Sequence, residues 1–158
     1  DAFPQYIPYY HSIESFLERI DEPLLVESAI AWFCPSRVIG YAGTFDMLAT
    51  MKDGSYALLD WKTSYKEKPD YQLSDYRMQL GAYTQAIEQM YDIEIEQAHC
   101  AISIYDPDKG EGQEAQIVSL DGTELIAQAG IMAQKTQQFF DDHYPGGQPF
   151  AISVDKAA

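Results

Sequence analysis

Three charged residues interrupt two apolar segments in the first half of the chain. Asp46 lies in the first segment, and Asp60 and Lys62 lie in the second. Both segments have the composition of strands from the middle of a covered sheet, where a charge is costly unless something pairs with it. Asp60 and Lys62 are two residues apart, so they project from the same face of their strand, about 7 Å apart along it. These three side chains are therefore candidates for a functional site.

The loop between the two segments decides whether Asp46 joins the other two residues. Lys52-Asp53-Gly54 is typical of a three-residue hairpin loop with its glycine in the left-handed conformation, which would pair position 46 with position 60. A two-residue Asp53-Gly54 turn would instead pair Asp46 with Trp61 and send its side chain to the other face. The three-residue loop therefore predicts two facing carboxylates with a lysine beside them.

Two facing carboxylates would repel each other at neutral pH unless a cation lies between them. A hard divalent ion such as Mg²⁺ takes oxygen ligands, keeps several waters and binds through one or two carboxylates together with substrate phosphates. Lys62 is a compact positive charge that could then hold a phosphate oxygen or orient the attacking water. Asp46, Asp60 and Lys62 together predict the metal-assisted hydrolysis of a phosphodiester.

Other interpretations of these residues stay open at this point. Asp46 could form a structural ion pair with Arg37 or Lys62, and Lys62 could protect a strand edge from aggregation. The two carboxylates could also be the acid and base of a glycosidase-like hydrolase. That interpretation leaves Lys62 without a role, and it requires activity in the absence of metal.

The remaining elements must hold this hairpin in place. Apolar residues at helical spacing predict a helix over residues 11–20, ended by Asp21-Glu22-Pro23, a second over 75–91 with Asp75 as its N-cap, and a third from its cap Asp121 to Pro145-Gly146-Gly147. Strands are predicted over 24–33, 38–51, 56–62, 98–105 and 116–120, the last two as a hairpin. This order favours an α/β sandwich with a mixed central sheet.

Three sequence blocks resemble the signature of a nuclease family. They are Gly43-Thr44-Phe45-Asp46, then Leu58-Leu59-Asp60-Trp61-Lys62-Thr63-Ser64, then Gln79-Leu80-Gly81-Ala82-Tyr83. Their order and spacing, over about residues 10 to 140, resemble the RecB-type branch of the PD-(D/E)xK nuclease superfamily. With Val26-Glu27-Ser28, the second block is most similar to mitochondrial genome maintenance exonucleases and related bacterial and phage exonucleases. The resemblance implies a restriction-endonuclease-like core, with helices on both faces of the sheet.

The resemblance also implies roles for individual residues. Asp46, Asp60, the main-chain carbonyl of Trp61 and, by a match to an acidic position, Glu27 would bind the metal. Lys62 would be the catalytic lysine, and Gln79 would help to orient it. The residues expected to contact DNA are Thr63, Ser64, Lys66, Lys68 and Tyr83. Taken alone, Gln79 could be a buried structural amide, Glu27 a solvated strand residue, and the two lysines part of an ordinary surface loop.

Two departures from the family pattern matter. RecB-type sequences usually carry a histidine on a helix well before the first block, and His11 is too close to Glu27 to be that residue. We therefore expect the histidine upstream of Asp1 or missing, and residues 1–158 to form one nuclease domain without its N-terminal segment. Relatives with an iron–sulfur cluster use four cysteines, so with Cys34 and Cys100 alone no such cluster is expected.

The charge of −15 and the sequence pI near 4.3 would ordinarily argue against a nucleic-acid ligand. A cation bound by the acidic pair would reverse the local sign. Outside a small basic zone formed by Lys62, Lys66 and Lys68, contact with DNA should be weak and sensitive to salt. The sequence also contains no apolar run long enough to cross a bilayer, so we expect no membrane partner.

Taken together, these features predict a Mg²⁺-dependent DNA exonuclease, with Mn²⁺ as a substitute, acting in recombination, repair or replication. Its partners would be DNA that is single-stranded or has a free end, together with a recombination or single-strand-binding protein. We expect it in the cytoplasm of a bacterial or phage-infected cell rather than in the mitochondrial matrix. The alternative is a catalytically inactive, nuclease-like domain that binds DNA or a recombination partner.

Overall fold

The fold is built on a single mixed sheet, seen in a computed structural model that describes residues 4–37 and 39–145. Within these residues the strands are β1 (Ile20–Phe33), β2 (Gly40–Met51), β3 (Tyr56–Ser64), β4 (Gln97–Asp106) and β5 (Glu111–Asp121). The helices are α1 (Ile7–Leu17), α2 (Ser74–Tyr91) and α3 (Gly122–His143), with short 3₁₀ turns at Pro4–Tyr6 and Asp70–Gln72. None of these helices combines the length and the apolar composition that a membrane span requires.

The strands lie in the order β1-β2-β3-β4-β5. Neighbouring strands are antiparallel except for β3 and β4, which run parallel. A parallel pair needs a crossover connection, and α2 provides it here. The predicted α/β class with a mixed central sheet is therefore confirmed.

Helices cover both faces of this sheet, as the family resemblance implied. On one face Phe16 of α1 packs over Ala49, Met51 and Leu59. On the other face α2 and α3 cover a larger core, whose fully buried members include Phe45, Leu58, Leu80, Ile87 and Ile102. Each strand of the central pair β2 and β3 therefore buries both of its faces, which explains its continuous apolar composition.

The loop between β2 and β3 has the predicted three-residue form. Gly54 has a φ of 90°, and its N–H donates to the carbonyl of Met51 at 2.8 Å. The N–H of Met51 donates to the carbonyl of Ser55 at 2.9 Å, and the strands then pair from Thr50 with Tyr56 to Met47 with Leu59. One further step in the same register brings position 46 to position 60, so the predicted register is confirmed.

The first helix and strand have other bounds than predicted. The helix covers Ile7–Leu17 rather than 11–20, with a proline in its first turn, where the missing N–H costs nothing. The segment Asp21-Glu22-Pro23 does not end a helix but belongs to β1, which already begins at Ile20. Among the described strands β1 lies at an edge of the sheet, where a proline is tolerated, and its ladder is irregular between Pro23 and Leu25.

Of the predicted caps of the two long helices, one is confirmed and the other is wrong. Asp121 caps α3 as predicted, in a reciprocal pair of hydrogen bonds with Glu124. The predicted cap of α2 is wrong, because the helix begins at Ser74 and Asp75 lies within its first turn. The helix α3 ends at His143, and Val38, Gly146 and Gly147 lie outside the described residues.

Candidate active site

The pair at the centre of the site lies on β3. Lys62 Nζ is 2.8 Å from Oδ1 and 2.7 Å from Oδ2 of Asp60, so it binds both carboxylate oxygens. Asp60 is only 3% exposed, whereas 28% of the Lys62 side chain is accessible. The strand therefore presents a buried carboxylate with a cation that solvent and substrate can reach.

Burial and the neighbouring charges act in opposite directions on this pair. Burial raises the pKa of Asp60 above its usual range, against the lowering effect of the Lys62 ammonium. Burial alone would lower the pKa of Lys62, but the hydrogen bond and charge of Asp60 outweigh it and raise that pKa. The charge of Asp46 raises both pKa values further. A second carboxylate is therefore close enough to act on both members of the pair.

Asp46 reaches β3 through its side chain. Its Oδ2 accepts a hydrogen bond from the main-chain N–H of Trp61 at 2.7 Å, just beyond the last ladder pair, Met47 with Leu59. Trp61 itself points to the opposite face, where its ring packs edge-on against Phe16 of α1. The structure thus brings together the three residues around which the sequence predicts a site.

Cys100 is a further neighbour of the site, and no sequence motif pointed to it. It lies opposite Asp60 in the parallel β3–β4 register, and its Sγ donates to Asp60 Oδ2 at 3.5 Å. Burial raises the pKa of the Cys100 thiol, and the carboxylate of Asp60 raises it further. The group is therefore a neutral thiol at neutral pH and can donate to the carboxylate. Only the register between β3 and β4 could have revealed it.

Two tyrosines of α2 face the same region. The ring centroid of Tyr76 lies 5.9 Å from Lys62 Nζ, within the range of a cation–π contact. Tyr83 lies against Gly43, where an added Cβ atom would be only 2.9 Å from its Oη and Cε1. The first and third sequence blocks are thus in direct contact, and the glycine of the first block makes room for the tyrosine of the third.

Gln79 lies on α2 between these tyrosines, three residues after Tyr76 and four before Tyr83. Residues at these spacings share a helix face. Its side chain is half-buried and forms no hydrogen bond within the described part of the chain. The expectation that Gln79 orients Lys62 therefore stays a prediction, since in this structure Lys62 is held by Asp60.

Glu27 holds a special backbone position. The pairs Val26–Met47 and Ser28–Phe45 flank it, so the same register places it opposite Asp46. Its φ of 45° is unusual for a residue other than glycine, and its side chain is exposed. Across the described ranges no group of three or more His, Cys, Asp and Glu side chains is arranged to hold a metal. Its assignment as a ligand stays a prediction.

Four of the residues expected to contact DNA, Thr63, Ser64, Lys66 and Lys68, follow directly after the site. Thr63 is exposed, and the Ser64 hydroxyl donates to the carbonyl of Lys66 at 2.7 Å. Gln116 of β5 accepts from the N–H of Lys68 and donates to its carbonyl, both at 2.9 Å. The loop is therefore anchored through its main chain, while the ammonium groups of both lysines form no ion pair with a described residue.

Asp46 and Asp60 have the donor chemistry of a hard divalent cation. The Oδ1 of Asp46 has no hydrogen-bond partner among the described residues, and the Trp61 carbonyl lies in the chain directly after Asp60. Carboxylate and carbonyl oxygens are the ligands that Mg²⁺ prefers. The residues present therefore fit the divalent ion that the sequence predicts. His11, in contrast, lies on α1 and pairs with Glu14 at 3.3 Å.

Both the sequence and the fold of this chain are similar to those of known proteins. A family model described as the PD-(D/E)XK nuclease superfamily matches residues 10–145, which include Asp46, Asp60 and Lys62. The crystal structure of a proposed exonuclease from Eubacterium rectale is similar over 85% of this chain and 50% of its own, with a TM-score of 0.50 and 12% identity. This chain thus spans about half the length of that protein.

The protein SSO0001 is also similar in structure, over 90% of this chain and 67% of its own, with a TM-score of 0.43 and 16% identity. No curated protein sequence matches this chain. At 12% identity, the Eubacterium rectale structure supports the fold alone.

Proposed function

This chain belongs to the PD-(D/E)XK nuclease superfamily, and from that premise we propose that it is a metal-dependent DNA exonuclease. The observation that carries the proposal is the meeting of Asp46, Asp60 and Lys62 on neighbouring strands. A pair of carboxylates with a lysine beside it is the donor set for hydrolysis of a phosphodiester with a divalent ion. A glycosidase would need the carboxylates alone and leaves the lysine unused.

Each residue has a distinct task in this proposal. Asp46, Asp60 and the main-chain carbonyl of Trp61 would hold Mg²⁺, or Mn²⁺ in its place. When bound, such an ion supplies Lewis-acid stabilisation of the phosphate and lowers the pKa of water. The Lys62 ammonium, accessible on one side, holds a non-bridging oxygen of the scissile phosphate or orients the water that attacks phosphorus. Water forms the new P–O bond as the bond to the leaving sugar oxygen breaks.

The substrate would approach along the exposed side of Lys62. Thr63, Ser64, Lys66 and Lys68 follow Lys62 in the chain, from the end of β3 into the anchored loop. Tyr65 is 68% exposed and Tyr71 is 75% exposed, and such rings can stack on the bases of a single strand. These features support DNA with a single-stranded or free end as the substrate.

The proposal is tested by incubating end-labelled single-stranded and double-stranded DNA with the protein and Mg²⁺, Mn²⁺ or EDTA. We expect mononucleotides or short products from the ends, and none with EDTA or from a closed circle. Asp60→Asn and Lys62→Ala should each lower the rate at least about a hundredfold, as removal of one electrostatic group from a reacting centre does. Cleavage by these variants at the parental rate would overturn the proposal.

Lys135→Ala is the matched control for Lys62→Ala, because Lys135 is an exposed lysine on α3. It removes the same charge from the whole molecule and should leave the rate unchanged. A parent that binds the labelled DNA without cutting it under any metal would instead favour an inactive, accessory nuclease domain.

A further inference from the structure

A cavity of about 620 Å³ lies between α2, α3 and the segment that leads into β4. Its volume is in the range of small-molecule pockets. Ile95, Leu125 and Ala129 form an apolar part of its wall and are buried. It lies where β4 begins, whereas Asp60 and Lys62 pair with residues further along that strand. The cavity is therefore separate from the nuclease site.

Thr84 of α2 is an unpartnered polar group in the wall of this cavity. The residue is 3% exposed, and its Oγ1 has no hydrogen-bond partner in the described part of the chain. A threonine within a helix usually bonds a carbonyl of the preceding turn, as Thr136 does with Met132 at 2.9 Å. A buried hydroxyl without a partner costs free energy, which a ligand with a complementary polar atom would recover.

The charges at the mouth of the cavity have one sign. The carboxyl groups of Glu88, Asp92 and Glu94 line it, and no lysine or arginine does so among the described residues. The Glu88 side chain already accepts from the N–H of Ile95 at 3.0 Å. Asp92, which ends α2 with a φ of 55°, and Glu94 are exposed and form no ion pair with a described residue. An anionic ligand would be repelled here and a cation attracted.

We propose that this cavity binds a small organic cation with an ammonium or guanidinium head and an apolar body. The head lies between Asp92 and Glu94, and the body covers Ile95 and Leu125. The Thr84 oxygen is buried in the wall, so rotation of this side chain about χ1 turns its hydroxyl to a polar atom of that body. The apolar wall, the unpartnered hydroxyl and the acidic mouth each select one part of such a molecule, and the proposal does not depend on the nuclease reaction.

Three small probes separate these contributions. Tryptamine has the proposed head and body, indole-3-propionate has the same body with a negative charge, and ethanolamine has the head without the body. Each is titrated into the ¹⁵N-labelled protein at pH 7 while amide NMR shifts are followed. We expect saturable shifts at Thr84, Glu94 and Leu125 with tryptamine and at least tenfold weaker binding of the other two.

Substitutions assign the binding to this cavity. Thr84→Val keeps the shape of the side chain without its hydroxyl and should weaken tryptamine binding about threefold to tenfold. Glu94→Gln should weaken it about threefold, and Glu22→Gln, at an exposed glutamate of β1, should leave it unchanged. Thr84→Val could unfold the helix, so Glu94→Gln tests the same assignment at an exposed position. The proposal would be overturned if both cavity variants bound tryptamine as tightly as the parent does. Binding of indole-3-propionate as tight as that of tryptamine would also overturn it.

Discussion

The carboxylate of Asp46 accepts a hydrogen bond from the main-chain N–H of Trp61, with 2.7 Å between Oδ2 and N. The last main-chain pair between β2 and β3 is Met47 with Leu59. A side chain therefore continues the contact between the strands at the point where main-chain pairing stops. One oxygen of this carboxylate connects the two strands, and the other has no hydrogen-bond partner among the described residues. The structural and chemical tasks of Asp46 can therefore be separated by substitution.

The substitutions Asp46→Asn and Asp46→Ala should separate the structural task of this carboxylate from its chemical task. Asparagine keeps an oxygen that can accept from Trp61 but loses the negative charge, so we expect near-parental stability and a loss of cleavage of at least about a hundredfold. Alanine loses both and should lower the free energy of unfolding by about 1–2 kcal/mol as well. Urea unfolding and cleavage of labelled DNA measure the two effects. Equal stability of the two variants would contradict the structural task of the hydrogen bond.

Cys100 should position Asp60 through its thiol. Cys100→Ser keeps a donor toward Asp60 Oδ2, whereas Cys100→Val keeps the packing of a fully buried residue and removes the donor. We expect the serine variant to stay within about threefold of the parental rate. The valine variant should require a higher Mg²⁺ concentration for half-maximal rate, because the carboxylate is no longer fixed. A metal titration of both variants decides this, and identical titration curves would argue against a positioning role.

Gly43 and Tyr83 should be coupled in stability. A methyl group on Gly43 would lie 2.9 Å from both Cε1 and Oη of Tyr83, so Gly43→Ala should destabilise the fold by about 1–3 kcal/mol. In a Tyr83→Ala background the same change should cost much less, because the ring is gone. A double-mutant cycle of urea unfolding measures this coupling. Additive effects of the two substitutions would show that the contact carries no strain.

His99 should make stability depend on pH between about 6.5 and 4. It is 2% exposed and bonds Ser119 and Gln97 at 2.8 and 2.9 Å, and burial, with Arg19 nearby, lowers its pKa to about 4. The unfolded chain therefore binds this proton first, so the contribution is complete above pH 6.5 and is lost as the pH falls towards 4. The loss should be about 2 kcal/mol at pH 5.

The measurement is urea unfolding at pH 7 and pH 5 for the parent, His99→Gln and His143→Gln. The first variant should lose this part of the pH dependence. The second, at an exposed histidine, should keep it. A parental slope in His99→Gln would contradict the assignment.

Local sequence signals were sufficient where neighbouring residues determine the structure. The loop with Gly54 sets the register of β2 and β3, and this register brings Asp46 to Asp60. The pairing of Asp121 with Glu124 is likewise a local cap, and it was predicted correctly. The nuclease superfamily that three short sequence blocks indicated is confirmed by the family model, which matches residues 10–145.

Local sequence signals could not predict the contacts that form across the crossover between β3 and β4. Cys100 meets Asp60 only because β3 and β4 run parallel in one particular register, forty residues apart in the chain. Tyr76 meets Lys62 for a similar reason, since the rotation of α2 on the sheet is set by packing. The prediction that Pro23 helps to end a helix was wrong. Proline is tolerated in an edge strand, and no residue near Pro23 indicates that β1 is one.

The position of β3 in the sheet has a consequence for how the protein opens. In the described part of the chain β3 has hydrogen-bonded neighbours on both sides and helices over both faces, whereas β1 and β5 each lack one neighbour. Amide hydrogens of Asp60 and Lys62 should therefore exchange with solvent only in the most complete opening events, while those of β1 near Pro23 exchange through fraying. The ion pair of Asp60 and Lys62 would thus persist through the partial unfolding that loosens the edge strands.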